Sequence, residues 1–355
     1  MKKASITQSV YGTLPNGQQV DTFKLKNGKG MEVDIITFGG IITNLKVPNG
    51  EGVSENIVLG YDKLDSYLEN PTFFGAIIGR YGNRIAHGKF TLNDTVYSLE
   101  TNNGPHHLHG GSQGFDKAVW DAKTIETEET VALELAYLSP DMEAGFPGNL
   151  KVTVLYTLTS ENALEIQYKG ITDKPTLVNL TQHSYFNLSG DFYKSIENQE
   201  LMIDADFFVP IDETAIPFGH LESVKNTPFD FTVPKRIGQD INADNQQIKN
   251  GFGYDHTFVI NQTEKGLTRF ATVLDQDSKR YMEVYTTEPG VQLYTGNFID
   301  AALPLANGEI FANRTGLCLE TQHYPDSPNQ NQFPSTVLQP GEFYHSATTY
   351  KFSVV

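Results

Sequence analysis

Apolar and polar residues alternate along most of this chain, and stretches with the period of a helix are few and short. In 151–158, Val152, Val154, Tyr156 and Leu158 fall on one face, and after Thr159-Ser-Glu-Asn162 the set Leu164, Ile166 and Tyr168 repeats it, which predicts a β-hairpin. Phe90 and Leu92 pair by the same logic with Tyr97 and Leu99 across Asn93-Asp94. Residues 31–47 read as two strands broken at Gly39-Gly40, and further strands fit 131–138, 281–286 and 291–295. The expected fold is all-β, a large antiparallel β-sandwich. The 31 Gly and 17 Pro supply its turns, and the 22 Phe and 17 Tyr its half-buried faces.

No repeat of 20 to 50 residues is evident, which argues against a propeller or solenoid. No low-complexity linker divides the chain, and the polar stretch 237–249 reads as a surface segment or short helix. One domain over residues 1–355 is therefore expected, a length that large all-β folds reach as one unit.

Charge and cysteine usage narrow the partners. A formal net charge of −17 disfavours nucleic acid and anionic membrane surfaces, both of which need clustered Lys and Arg. The two N-terminal lysines are followed by polar residues rather than an apolar signal core, and no window approaches 18 uninterrupted apolar residues. A cytoplasmic protein with a neutral small-molecule ligand is expected, as a monomer or weak homodimer. The single Cys318 excludes an internal disulfide and a thiolate metal cluster, and reads as a small buried residue.

Candidate chemistry starts at Gly316-Leu-Cys-Leu-Glu-Thr-Gln-His-Tyr-Pro-Asp-Ser-Pro-Asn329. Alternation puts Cys318, Glu320 and Gln322 on one face of a strand that otherwise reads as buried, so the carboxylate of Glu320 needs either a partner or a task. The two prolines that follow force a turn, expected to help close a pocket. In Asn102-Asn-Gly-Pro-His-His-Leu-His-Gly-Gly111, His106, His107 and His109 lie on a glycine-rich loop whose backbone can approach a ligand. No HExxH pattern or cysteine accompanies them, so metal binding is the weaker reading, and His109 is the residue expected to point inward. Asn179, Thr181, His183 and Tyr185 would share one strand face, a pattern that suits either water or a polyol. Gly79-Arg-Tyr-Gly-Asn-Arg-Ile-Ala-His-Gly88 adds Arg80, Asn83 and Arg84. Asp255 heads an apolar strand as a cap or as an acceptor for two sugar hydroxyls, and Gln292 has the same ambiguity.

Taken in order, Gly-Arg-x-x-Asn-Arg-Ile, Asn-Gly-Pro-x-x-Leu-His-Gly-Gly, Gln-His-Ser-Tyr-Phe-Asn-Leu, Gly-x-Asp-His, Gln-x-Tyr-Thr-Gly-Asn-Phe and Leu-Glu-Thr-Gln-x-x-Pro-Asp-Ser-Pro-Asn resemble the aldose 1-epimerase (galactose mutarotase) family. The resemblance runs from about Gly39 to the C-terminus, and 141–150 looks like that family's acidic Gly-Tyr-Pro-Gly segment with Phe146 for Tyr. It implies a mutarotase-like supersandwich and the exchange of α and β anomers of a free galactose- or glucose-type aldose by ring opening and reclosure, with no cofactor or metal. It also implies Glu320 as general base, His183 as general acid and His109 as a second imidazole at the reacting end. Asn83, Arg84, Asp255 and Gln292 would hold the hydroxyls and ring. A charge on Glu320 or Asp255 is expected to keep His183 protonated. The alternatives are a glycoside hydrolase using Asp255 and Glu320, and a sugar-binding module without catalysis.

Overall fold

Period-two patterning becomes three large antiparallel sheets and four two-stranded ones in the computed structural model, which describes residues 3–127, 130–262, 266–305 and 307–355. The largest runs in the order Asp121–Glu126, Val131–Ser139, Leu150–Leu158, Ala163–Thr172, Tyr344–Val354, Arg280–Thr286, Thr268–Leu274, Glu200–Ile203 and Lys235–Arg236. The C-terminal strand thus inserts at the middle of the sheet, bridging 163–172 to 280–286. A second sheet is a meander of Ser5–Thr13, Gln19–Lys26, Glu32–Ile36, Ile42–Pro48 and Ser54–Asn56. The third runs Glu222–Ser223, Phe207–Phe208, Asp255–Val259, Gly290–Tyr294 and Cys318–Gln322.

The predicted hairpin forms, with Tyr156 opposite Ile166 and Leu158 opposite Leu164. Its apolar face, including Val152, Val154, Tyr156 and Ile166, is fully buried, and each such aliphatic residue contributes about 1.5–3 kcal/mol. One continuous core draws on the three large sheets: Val33 and Ile35 from the second, Val154 and Ile166 from the first and Leu293 and Leu319 from the third all belong to it. The hairpin at Lys89–Leu92 and Thr95–Ser98 turns through Asn93 and Asp94, both at positive φ, and stacks Phe90 on Tyr97. The stretch 237–249 holds a 3₁₀ turn at Ile237–Gln239 and the start of the short helix Gln246–Gly251. No helix among the described residues is long and apolar enough to cross a membrane.

Two sequence expectations change here. The segment around His183 is no continuous strand: Thr181–Gln182 pairs briefly with Ile77–Ile78, and its flanks make single bridges at Asn179 and Phe186. All four polar residues of the supposed face are buried, so none of them faces water. Arg80 is the second change. Its guanidinium donates to the Ser139 hydroxyl and to the carbonyls of Ser139, Pro140 and Pro147 at 2.7–2.9 Å, deep beneath the surface. It pins 139–147 to the segment that carries Asn83 and Arg84, and Glu143 closes the network against Ser139 and Tyr137.

Replacing Arg80 by Met leaves those carbonyls buried without donors, and is expected to cost about 3 kcal/mol of stability. Urea unfolding of the variant measures it; a loss under ~1 kcal/mol would show that water substitutes freely for the guanidinium.

Candidate active site

Three strands of the third sheet form the floor of a cleft. Their register sets Thr257, Gln292 and Glu320 in one cross-strand row and Asp255, Tyr294 and Cys318 in the next. Residues opposite each other, or two apart on one strand, point to the same side, so all six share one face. Leu293, Leu319 and Phe258 take the other face and enter the core, which holds the floor rigid. Within the rows, Thr257 donates to Gln292 Oε1 at 2.5 Å and Gln292 Nε2 donates to Asp255 Oδ1 at 2.6 Å. Both ends of the Gln292 amide are thereby taken by protein, and it aims Asp255 rather than lining the cleft itself.

Connecting segments supply the walls. Asn83, at φ 67°, donates its backbone N–H to Nδ1 of His109 at 3.0 Å. That bond requires a bare Nδ1, so the neutral ring carries its proton on Nε2 and enters the cleft as a hydrogen-bond donor. Gly110 makes the approach possible: at φ 86° it lies so near the Gly79 carbonyl that a Cβ would sit 1.9 Å from the oxygen. Arg84 donates from Nε to the Asn103 side chain at 3.0 Å. His183 is held at both backbone groups, to Ala76 and Gly75, and its ring stacks between Tyr185 and Phe73. Its Nε2 lies 3.6 Å from Oε1 of Glu320, while Oε2 of Glu320 is buried with no protein partner.

Burial dominates the electrostatics. It pushes the His183 imidazole down to about 4, and the carboxylate 3.6 Å away does not restore it. Burial and then the charges of His183 and Arg84 hold His109 well below the imidazole range. Burial, followed by the charge of Asp255, raises Glu320 well above the usual carboxyl range against the opposing pull of Arg84. Asp255 is raised by burial too, opposed by Arg84 and Gln292. The expectation that a neighbouring carboxylate keeps His183 charged is therefore corrected: desolvation outweighs attraction, and burial moves proton affinity from His183 towards Glu320.

Ligating atoms of His109, His183 and Glu320 lie within 4.8 Å of one another, a spacing that invites comparison with a two-histidine, one-carboxylate metal site. Ligation through His109 Nε2 would require moving its proton to the nitrogen that already accepts from Asn83, so the donor set does not suit a metal.

The structure brings together Glu320, His183, His109, Asn83, Arg84 and Asp255, with Gln292 one layer beneath. The family profile described as "Aldose 1-epimerase" matches residues 21–351. The galactose mutarotase of Bos taurus is 44% identical over 352 residues, covering 99% of both chains, and the aldose 1-epimerase of Escherichia coli K12 is 39% identical over 340 residues, 95% of this chain and 96% of its own. The crystal structure of galactose 1-epimerase from Lactobacillus acidophilus NCFM superposes with a TM-score of 0.87 at 29% identity, covering 99% of each chain. The chain belongs to the aldose 1-epimerase family.

Within this epimerase cleft, the other sequence candidates separate cleanly. His107 turns away and bonds the Glu100 carbonyl at 2.8 Å, and His106 bonds Thr214 at 3.0 Å in an adjoining depression. The turn after Glu320 does not line the cleft. Asp326 instead accepts from Ala86 N–H and donates its own N–H to the Arg84 carbonyl, bracing the wall from behind, which corrects its expected role as a closing element. Phe73, Thr257 and Tyr294 went unnoticed in the sequence. The last two were findable as the i+2 neighbours of Asp255 and Gln292; Phe73, at φ 56°, carried no such signal.

A depressed imidazole stays uncharged as pH falls through 6.5 and takes its proton only near 4. NMR titration of His183 should therefore show a midpoint near 4; a midpoint near ~6.5 would contradict the burial argument.

Proposed function

We propose that the chain interconverts the α and β anomers of a free neutral aldose, with Glu320 and His183 as the proton-exchanging pair. The observation that carries this is a buried carboxyl and a buried imidazole facing each other 3.6 Å apart in the cleft, the first raised and the second lowered by burial. Anomer exchange removes the proton of the C1 hydroxyl while the ring oxygen gains one, so that the C1–O5 bond breaks and an aldehyde forms. Rotation about C1–C2 and reclosure give the other anomer. The net proton count of sugar and enzyme never changes, so a pair holding one proton suffices.

In the productive arrangement Glu320 is the carboxylate and accepts from the C1 hydroxyl, while His183 carries the proton and delivers it from Nε2 to O5. Burial alone disfavours this charged form. Sugar favours it by offering the carboxylate a hydroxyl donor and the imidazolium an ether acceptor. On reclosure the two exchange roles. His109, with Nε2–H as a fixed donor, steadies an oxygen at the reacting end, since its deep depression keeps it neutral throughout. Asn83, Arg84 and Asp255 hold the hydroxyls, and Gln292 keeps Asp255 in place.

A neutral sugar fits because Arg84 is the one Lys or Arg among the described residues lining the cleft, too little for a phosphate dianion beside two carboxyls. The galactose mutarotase and aldose 1-epimerase relatives are anomer-exchanging enzymes by name, which favours this reading over a hydrolase built on Asp255 and Glu320. A binding module would gain nothing from a buried proton-sharing pair.

Glu320→Gln should lower kcat about 10³-fold, and His183→Asn about 10²- to 10³-fold, with galactose binding by calorimetry within a few-fold of wild type. Polarimetry of freshly dissolved α-D-galactose measures both rates. Near wild-type turnover in Glu320→Gln would remove the base assignment, and a raised KM with unchanged kcat in His183→Asn would make His183 a binding residue only.

A further inference from the structure

The strand that delivers Glu320 also delivers Cys318, two residues earlier on the same face. Its sulfur lies 3.4 Å from Nδ1 of His183, within range of an N–H···S bond, and the side chain is completely buried. Stacking between Tyr185 and Phe73 fixes the plane of the His183 ring but not which nitrogen carries a proton. That choice falls to whatever touches Nδ1, because the nitrogen left without a fixed proton is the one free to exchange. The only cysteine of the chain is in that place.

We propose that Cys318 is a positioning residue: its sulfur accepts the Nδ1 proton of His183 and holds it there whether or not the ring is charged, so that Nε2 alone trades protons with the sugar. This deepens, and rests on, the reading of His183 as the acid. The opposite polarity, with the thiol donating to a bare Nδ1, would place the neutral ring's proton on Nε2. A ring so fixed cannot take a proton back at Nε2 during reclosure.

Sulfur suits the task for an electrostatic reason. A carboxylate at this point would orient the ring equally well, but its charge would hold the imidazole protonated and make it reluctant to release the proton. The Cys318 thiol stays neutral, because burial and the charges of Glu320 and Asp255 push its ionisation far upward. It is an acceptor that adds no charge to the cleft.

Nitrogen-15 NMR of the wild-type protein near pH 7 tests the tautomer directly: the Nδ1–H form of His183 is expected, and a ring protonated on Nε2 overturns the proposal. Cys318→Ala should lower kcat for α-D-galactose about tenfold, with KM within twofold, and let the Nε2–H tautomer appear. Cys318→Ser, whose hydroxyl can accept the same proton, should recover most of that loss. An unchanged kcat in Cys318→Ala, or a serine no better than alanine, overturns the proposal. Assayed beside these, His183→Asn separates the two levels: a slow His183→Asn with a fast Cys318→Ala removes only the role of Cys318, whereas a fast His183→Asn removes the acid assignment and this inference with it. The wild-type spectrum needs no variant, so a Cys318→Ala chain that failed to fold would leave the test standing.

Discussion

The cleft depends on the register of three strands. Gly290–Tyr294 lies between Asp255–Val259 and Cys318–Gln322, and the pairing of Thr257, Gln292 and Glu320 in one row decides which side chains share a face. A slip of one residue in any of these strands would send its cleft residues into the core and its core residues into the cleft. The register is secured from below by Leu293, Leu319 and Phe258, whose burial fixes the inward face. It is secured from above by the chain of bonds from Thr257 through Gln292 to Asp255. Packing on one side and hydrogen bonding on the other thus select the same alignment, and the site inherits its precision from the sandwich.

That same placement sets the chemistry. A side chain on the floor of a sheet backed by a hydrophobic core loses most of its hydration, and the charged form of any group there becomes costly. Carboxyls move up and imidazoles move down, as Glu320, Asp255, His109 and His183 all do. For groups whose unperturbed values differ by about two units, these opposed shifts reverse the order of basicity between Glu320 and His183. In the proposed mechanism, the charged pair is therefore a state that a bound sugar must favour through its own hydrogen bonds. Chemistry is thereby coupled to occupancy of the cleft.

Much of this was legible in the residues. The strands at 150–172, the broken pair within 31–47 and the hairpin at Asn93-Asp94 follow from alternation and turn chemistry, which are local properties. Glu320 stood out because a carboxylate on an apolar strand contradicts its surroundings, and contradictions of that kind mark function. The failures share a different cause. Arg80 reads like its neighbours Asn83 and Arg84, yet its partners are carbonyls nearly sixty residues away. The prolines after Glu320 predict a turn correctly but not which side of the wall it braces. The protonation of His183 depends on how much water the fold removes from it, and charge counting along a sequence has no measure of that.

A buried carboxyl–imidazole pair also suits the symmetry of the proposed reaction. The two anomers of an aldose differ little in energy, and both pass through the same open-chain aldehyde. A catalyst for such an exchange works equally in both directions, so the group that donates in opening must accept in closing. A strongly acidic or strongly basic residue would speed one half of the cycle and stall the other. In the proposed cycle, the pair Glu320 and His183 passes its proton to and from the sugar and needs none from solvent to complete a turn. Arg84 moderates the rise in Glu320 and Asp255 without forming an ion pair that would fix either as a permanent carboxylate. The low dielectric that makes such a site costly to build thus also makes proton placement in it dependent on what the bound sugar offers.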